Sequence, residues 1–177
     1  MTLANIFRRR VEAASFSRDL FQAWVIDDLE NEYEEYAISW RCNEQFDEAK
    51  CRYTFYVYLV AVVAVALTAA VEKRPEFVWV LSYLKGIASS KASTDWSIHE
   101  DTFDNDVVEA GNSLAKLLFR NPSENPALSL EWPAQWLGSF GVTEHNAVRL
   151  FQISHYWTTS FLYLCRLFDK IKVFEKK

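Results

Sequence analysis

The first proline in this chain is Pro75 and the first glycine is Gly86. Seventy-four residues therefore pass without either of the strongest breakers of regular structure, and only Asn, Asp and Ser can mark turns there. Over all 177 residues there are four glycines and four prolines, too few for a fold built on many tight turns. A chain so poor in breakers is most simply helical.

Apolar spacing agrees. Leu3, Phe7, Val11, Ala14, Phe21, Trp24 or Val25, and Leu29 recur at helical intervals, and the stripe continues through Tyr33, Tyr36 and Trp40. Strict alternation is absent, which argues against strands. One long helix or two shorter ones are predicted over residues 3–41. Asn43 is the expected N-cap of a helix running to Val71. Pro75 opens a third helix, where its missing N–H costs nothing, with Val78, Leu81, Leu84 and Ile87 or Ala88 facing inward. The polar run 89–97 reads as a loop. A fourth helix is predicted over 103–120, with Val107, Ala110, Leu114, Leu117 and Leu118 on its face. Residues 121–130 hold two prolines and read as a surface connection. A short helix over 133–138 follows. Thr143 then caps a last helix, with Glu144 against its N-terminal dipole. That helix carries Val148, Phe151, His155, Leu162 and Cys165 and reaches Val173. The expectation is all-α: one domain over residues 1–177, a compact bundle of about five to seven helices around a central apolar helix near residues 44–71.

The segment 53–71 contains no charged residue. Its mean hydropathy of about 2 per residue is of the kind found in membrane spans. As a helix it covers about 28 Å, close to a bilayer core. Arg52 flanks one end and Glu72, Lys73 and Arg74 the other, with Tyr53, Phe55, Tyr56 and Tyr58 at the first end and Phe77 and Trp79 past the second. Against a span, Ala61, Ala64 and Thr68 form a small-residue stripe that admits a neighbouring helix, and the polar start 44–50 suits a soluble element. The expectation is the central helix of a soluble bundle. The alternative is a membrane anchor at residues 53–71, in which case the basic tail 170–177 meets anionic lipid.

Half of the residues are hydrophobic and 16% are aromatic, which excludes a disordered chain. Cys42, Cys51 and Cys165 are odd in number and widely spaced. They fit reduced, buried thiols in the cytoplasm better than a disulfide framework. No apolar stretch of the secretory kind follows Arg8–Arg10, and Glu12 and Asp19 oppose a mitochondrial presequence.

Charge is the most informative functional feature. The net charge is −5, which disfavours a generic nucleic-acid binder. Residues 26–48 hold nine acidic side chains (Asp27, Asp28, Glu30, Glu32, Glu34, Glu35, Glu44, Asp47 and Glu48) against Arg41 alone. Residues 93–110 hold six more (Asp95, Glu100, Asp101, Asp104, Asp106 and Glu109) and no base. Such patches steer toward a basic partner. Tyr33, Tyr36, Trp40 and Trp96, interleaved with the acids, are candidate aromatic anchors. The candidate partner-binding set is Asp27, Asp28, Glu30, Glu34, Glu35, Tyr33, Tyr36, Trp40, Trp96, Asp101 and Asp104.

Motifs for other chemistry are missing. The His–Glu neighbours Glu144–His145 and His99–Glu100 are adjacent, not three apart as a di-iron bundle needs. No glycine-rich elbow, phosphate loop or dinucleotide fingerprint is present. No cofactor and no metal are expected. One spacing, Arg149-Leu-Phe-Gln-Ile-Ser-His155, resembles that of the small helical ribonucleases of the HEPN class. The resemblance implies an arginine that binds the scissile phosphate and a histidine that moves a proton. It covers seven residues. Leu150 departs from the polar residue often found after that arginine, and an i,i+6 pair lies about 120° apart on a regular helix.

The expected function is thus a non-enzymatic acidic helical module that binds a basic protein, most concretely an inhibitor or immunity protein. The alternatives are a membrane-anchored helical subunit and a ribonuclease using Arg149 and His155.

Overall fold

The computed structural model describes residues 10–42, 44–119, 128–142 and 146–175. Within them, 83% of the chain is helical, in six rods. The first rod is a continuous helix in three pieces: α1 (Ala13–Phe21), a π-helical stretch (Gln22–Ile26) and α2 (Asp27–Trp40). Then come α3 (Glu48–Lys73), α4 (Phe77–Trp96), α5 (Glu100–Leu118), α6 (Leu128–Gly138) and α7 (Ala147–Lys170).

The π stretch has a reason in the sequence. The buried positions Ser17, Phe21, Val25, Leu29, Tyr33 and Ala37 are each four residues apart. On a helix of 3.6 residues per turn such a stripe drifts away from its partner. A wider turn, closed by the Asp27 N–H on the Gln22 carbonyl, takes up part of that drift.

The apolar segment is the axis of the bundle. α3 packs against α2, α4, α5 and α7 and buries Cys51, Phe55, Tyr56, Val57 and most of the run from Leu59 to Leu67. Its 18-residue window of mean hydropathy 2.3 makes it long and apolar enough to cross a membrane, yet 56% of that window lies buried among the other helices. Arg74, which flanks this segment, closes the bundle. Its Nη1 donates to the Phe168 carbonyl at 2.9 Å, its Nη2 to the Ile171 carbonyl, and its guanidinium lies over the Phe77 ring. These carbonyls end α7, where a cation is favoured.

Several expectations need correction. The run 89–97 is helix almost throughout, because Ala88, Ser89 and Ala92 continue the buried face of α4. α3 starts at Glu48, with the Asp47 carboxylate accepting from the Lys50 N–H. The expected cap Asn43 lies outside the described residues, as do Thr143 and Glu144, and Asn146 caps α7 instead. Pro133 sits inside α6 rather than at its start. α7 stops at Lys170, and Lys172–Phe174 pairs in parallel with Arg10–Glu12 as a small two-stranded sheet, β1 and β2. The face expected for α7 is also rotated: Val148, Phe151 and Leu162 are exposed, whereas Leu150, Ile153, Trp157, Phe161 and Leu164 are buried.

Candidate functional site

The structure sorts the predicted partner-binding residues into two groups. Tyr33 is completely buried and Trp40 nearly so. Tyr33 stands edge-on to Phe55, and Trp40 packs against Tyr36, Phe46, Trp136 and Phe140. Both are core residues, so their expected role as surface anchors is corrected. Trp96 is half-buried and stacks on Tyr56 at 4.9 Å. Asp27, Glu30, Glu35 and Asp101 are exposed, and Asp28, Glu34, Tyr36 and Asp104 are half-buried.

Ion pairs run through both acidic patches, with Arg52, Lys85 and Lys91 entering from outside the acidic stretches. Glu34 binds Arg41 at 3.0 Å and Arg52 at 3.3 Å, and Glu48 also binds Arg41. The Arg41 guanidinium holds the Glu48 carboxyl below its ordinary range. In the second patch, Asp104 pairs with Lys85 at 2.6 Å and Asp95 with Lys91 at 2.7 Å. Exposed ion pairs of this kind contribute little to stability, but they offset part of the negative charge of Glu34, Glu48, Asp95 and Asp104.

Of the α2 acids outside these ion pairs, Glu35 borders a cleft of about 800 Å³ between α2 and α7. Glu35 and Tyr36 form one wall, and Asn146, Arg149, Gln152, His155, Tyr156 and Thr159 are among the residues of the other. The walls are joined below by the Tyr156 hydroxyl, which donates to Asp28 Oδ2 at 2.9 Å. Burial, opposed by that hydrogen bond and reinforced by Glu32 and Asp27, pushes the Asp28 carboxyl up to about 6. Burial likewise pushes Tyr36 up to about 12, with Glu32 and Glu35 adding to the shift and Arg149 opposing it. The cleft is thus lined by one carboxylate, Glu35, and one guanidinium, Arg149, with Asp28 bound to the Tyr156 hydroxyl beside it.

The same cleft brings Arg149 and His155 together. The His155 ring stacks on Phe151, and its Nε2 lies 3.4 Å from Thr159 Oγ1. Sequence reasoning missed Asn146, Gln152, Tyr156 and Thr159 as members of this site. Their signal was a polar stripe at helical spacing along α7, obscured by the exposed Val148 and Phe151 beside it. Among the described residues no three His, Cys, Asp or Glu side chains group as a metal site.

The Asp28 environment makes a prediction about stability. Its folded value of about 6 lies above the ordinary 3.8, so its contribution is fully present below about pH 3.8 and is lost as pH rises through about 6. Asp28→Asn keeps an acceptor for Tyr156 and removes the ionisation. The variant is expected to gain about 3 °C in Tm near pH 8 and nothing near pH 3.5. Thermal melts across that range check it; no gain near pH 8 would place Asp28 in water, and a gain independent of pH would exclude its ionisation as the cause.

No family model, curated protein or solved structure matches this chain.

Proposed function

We propose that this chain is a non-enzymatic, acidic protein-binding module of the inhibitor or immunity kind, which holds a basic partner against α2 and the α2–α7 cleft. One observation carries the reading: the exposed carboxylates Asp27, Glu30 and Glu35 lie on the helix that walls the 800 Å³ cleft. Those carboxylates and the fields of Asp28 and Glu32 speed association with a cationic surface. An arginine or lysine of the partner, entering the cleft, would meet Glu35 and approach Asp28.

Electrostatics also rank the alternatives. An RNA phosphate in the cleft would gain Arg149 and face Glu35, with Asp28 behind Tyr156, which disfavours the ribonuclease reading. The membrane-anchored reading has the length and hydropathy of α3 in its favour and the burial of more than half of its apolar window against it. The lead reading places the chain in the cytoplasm with its thiols reduced.

The test is a triple charge reversal, Asp27→Lys, Glu30→Lys and Glu35→Lys, all at exposed positions. Association rates with small proteins of pI above about 9 are measured by stopped flow at low and high salt. The reversal is expected to slow association at low salt by about tenfold or more, with the difference shrinking as salt screens it. Equal rates for both proteins overturn the reading. So does RNA cleavage by the wild type that is lost in His155→Ala.

A further inference from the structure

A second concavity lies on another side of the bundle. It is an apolar groove of about 360 Å³ where α3, α4 and α5 meet. Val60, Ala64 and Thr68, four residues apart, run along its floor, and Leu81, Phe103 and Val107 belong to its walls. The floor is shallow because Ala64 and Thr68 are small, and the spacing gives it a length of about two helical turns. Val108, at its edge, is 61% exposed. Its lining holds two charged residues, Lys85 and Asp104, and Glu100 and Asp101 precede Asp104 by one turn of α5, which puts them on its side of that helix. Lys85 and Asp104 bond across the groove at 2.6 Å, and the fields of Glu100 and Asp101 also reach the Lys85 ammonium. The one cation of the groove is thus already paired, and the start of α5 adds Glu100 and Asp101 beyond it.

That rim decides between occupants. A fatty acid would bury its chain well, but its carboxylate would find Lys85 already paired with Asp104 and two further acids on the same helix. A helix with one apolar stripe and basic flanks would fill the floor and place its lysines or arginines against the same carboxylates. We propose that the α3–α4–α5 groove is a docking site for an amphipathic basic helix of a partner protein. The site is separate from the α2–α7 cleft and does not depend on it. Apolar side chains at i, i+3 and i+4 of the ligand lie over Ala64 and Thr68, and its cationic flank takes Glu100 and Asp101.

The experiment uses the full chain and a fluorescein-labelled helical peptide of leucine and lysine at amphipathic spacing. A peptide of the same composition in scrambled order and a leucine–glutamate peptide serve as controls. Anisotropy is expected to report saturable binding of the amphipathic basic peptide, at least tenfold tighter than either control. Ala64→Phe, which fills the floor, is expected to weaken it tenfold or more. Glu100→Lys with Asp101→Lys, at exposed positions that leave the floor untouched, is expected to do the same and to flatten its salt dependence. Methyl NMR of the wild type should place the largest shifts on Val60, Val107 and Val108. The Asp27, Glu30 and Glu35 reversal should leave peptide binding unchanged, which separates this site from the cleft. Binding that survives both groove variants overturns the proposal, as does loss of binding on the α2 reversal. Laurate that binds more tightly than the basic peptide and displaces it makes the groove a lipid site and also overturns it.

Discussion

Trp157→Ala is expected to lower the unfolding free energy by about 3–5 kcal/mol, the range for deleting a buried tryptophan. Trp157 is completely buried, at the point where α3, α6 and α7 meet. Its ring lies 5.4 Å from that of Phe55, 5.9 Å from those of Tyr58 and Trp136, and 4.9 Å from that of Tyr156. Four neighbours would therefore lose contact area and aromatic pairing together. For a chain of this length each kcal/mol shifts Tm by about 2–4 °C, so the melting point should fall by about 10 °C. Trp157→Phe sharpens the argument. The Trp157 indole N–H has no hydrogen-bond acceptor among the described residues, so phenylalanine removes no hydrogen bond and should cost much less than alanine. Urea denaturation of the three proteins measures this. A cost below about 1 kcal/mol for the alanine variant would mean that α7 presents a different face to the core.

That face shows where sequence reading ran out. The helical class was legible because breakers are scarce and the apolar period is long, and the central helix was legible because residues 53–71 carry no charge. The rotation of α7 was not. Val148, Phe151 and Leu162 satisfy a helical period as well as Leu150, Ile153, Trp157 and Leu164 do, and only packing against α3 and α6 chooses between the stripes. The run 89–97 failed for a related reason: Ser and Thr resemble loop residues, but here Ser89 is buried and Thr94 turns its hydroxyl back to the Ser90 carbonyl at 2.9 Å. Long-range pairing was equally hidden. β1 and β2 join segments at opposite ends of the described chain, and no local pattern in three residues announces it.

The candidate site was legible in charge and not in shape. Counting acids over a window found α2, yet it could not see that Arg52 and Lys85 arrive from α3 and α4, nor that Tyr33 and Trp40 point inward. Arg149 and His155 are linked in the sequence by spacing alone, and although a regular helix sets them about 120° apart, the cleft is wide enough to be lined by both. Finding them together required α2 as the opposite wall.

Glycine substitutions should divide by sign, and Gly141 carries the second large effect. Gly141 lies in the turn after α6 with φ +87°, a conformation that alanine adopts only at a cost. A Cβ there would also stand 2.0 Å from the Gln45 carbonyl oxygen and 2.7 Å from the Gln45 carbonyl carbon. Both are backbone atoms, so the clash cannot be relieved by turning a side chain. Relief requires moving the turn off the 45–50 stretch. That breaks the Asp47 N–H bond to the Phe140 carbonyl at 3.2 Å and the Lys50 Nζ bond to the Ser139 carbonyl at 2.6 Å, beside the N-cap of α3. Gly141→Ala is expected to cost about 2–4 kcal/mol. Gly86→Ala supplies the contrast. Gly86 lies within α4 and nothing would meet its Cβ within 4 Å. There alanine removes only a weak helix former and should stabilise by about 0.5–1 kcal/mol. Denaturation midpoints moving in opposite directions confirm that Gly141 is held by its φ and by Gln45. If Gly141→Ala is neutral, the turn does not rest on the start of α3, and the seat that brings α7 back toward α2 must be elsewhere.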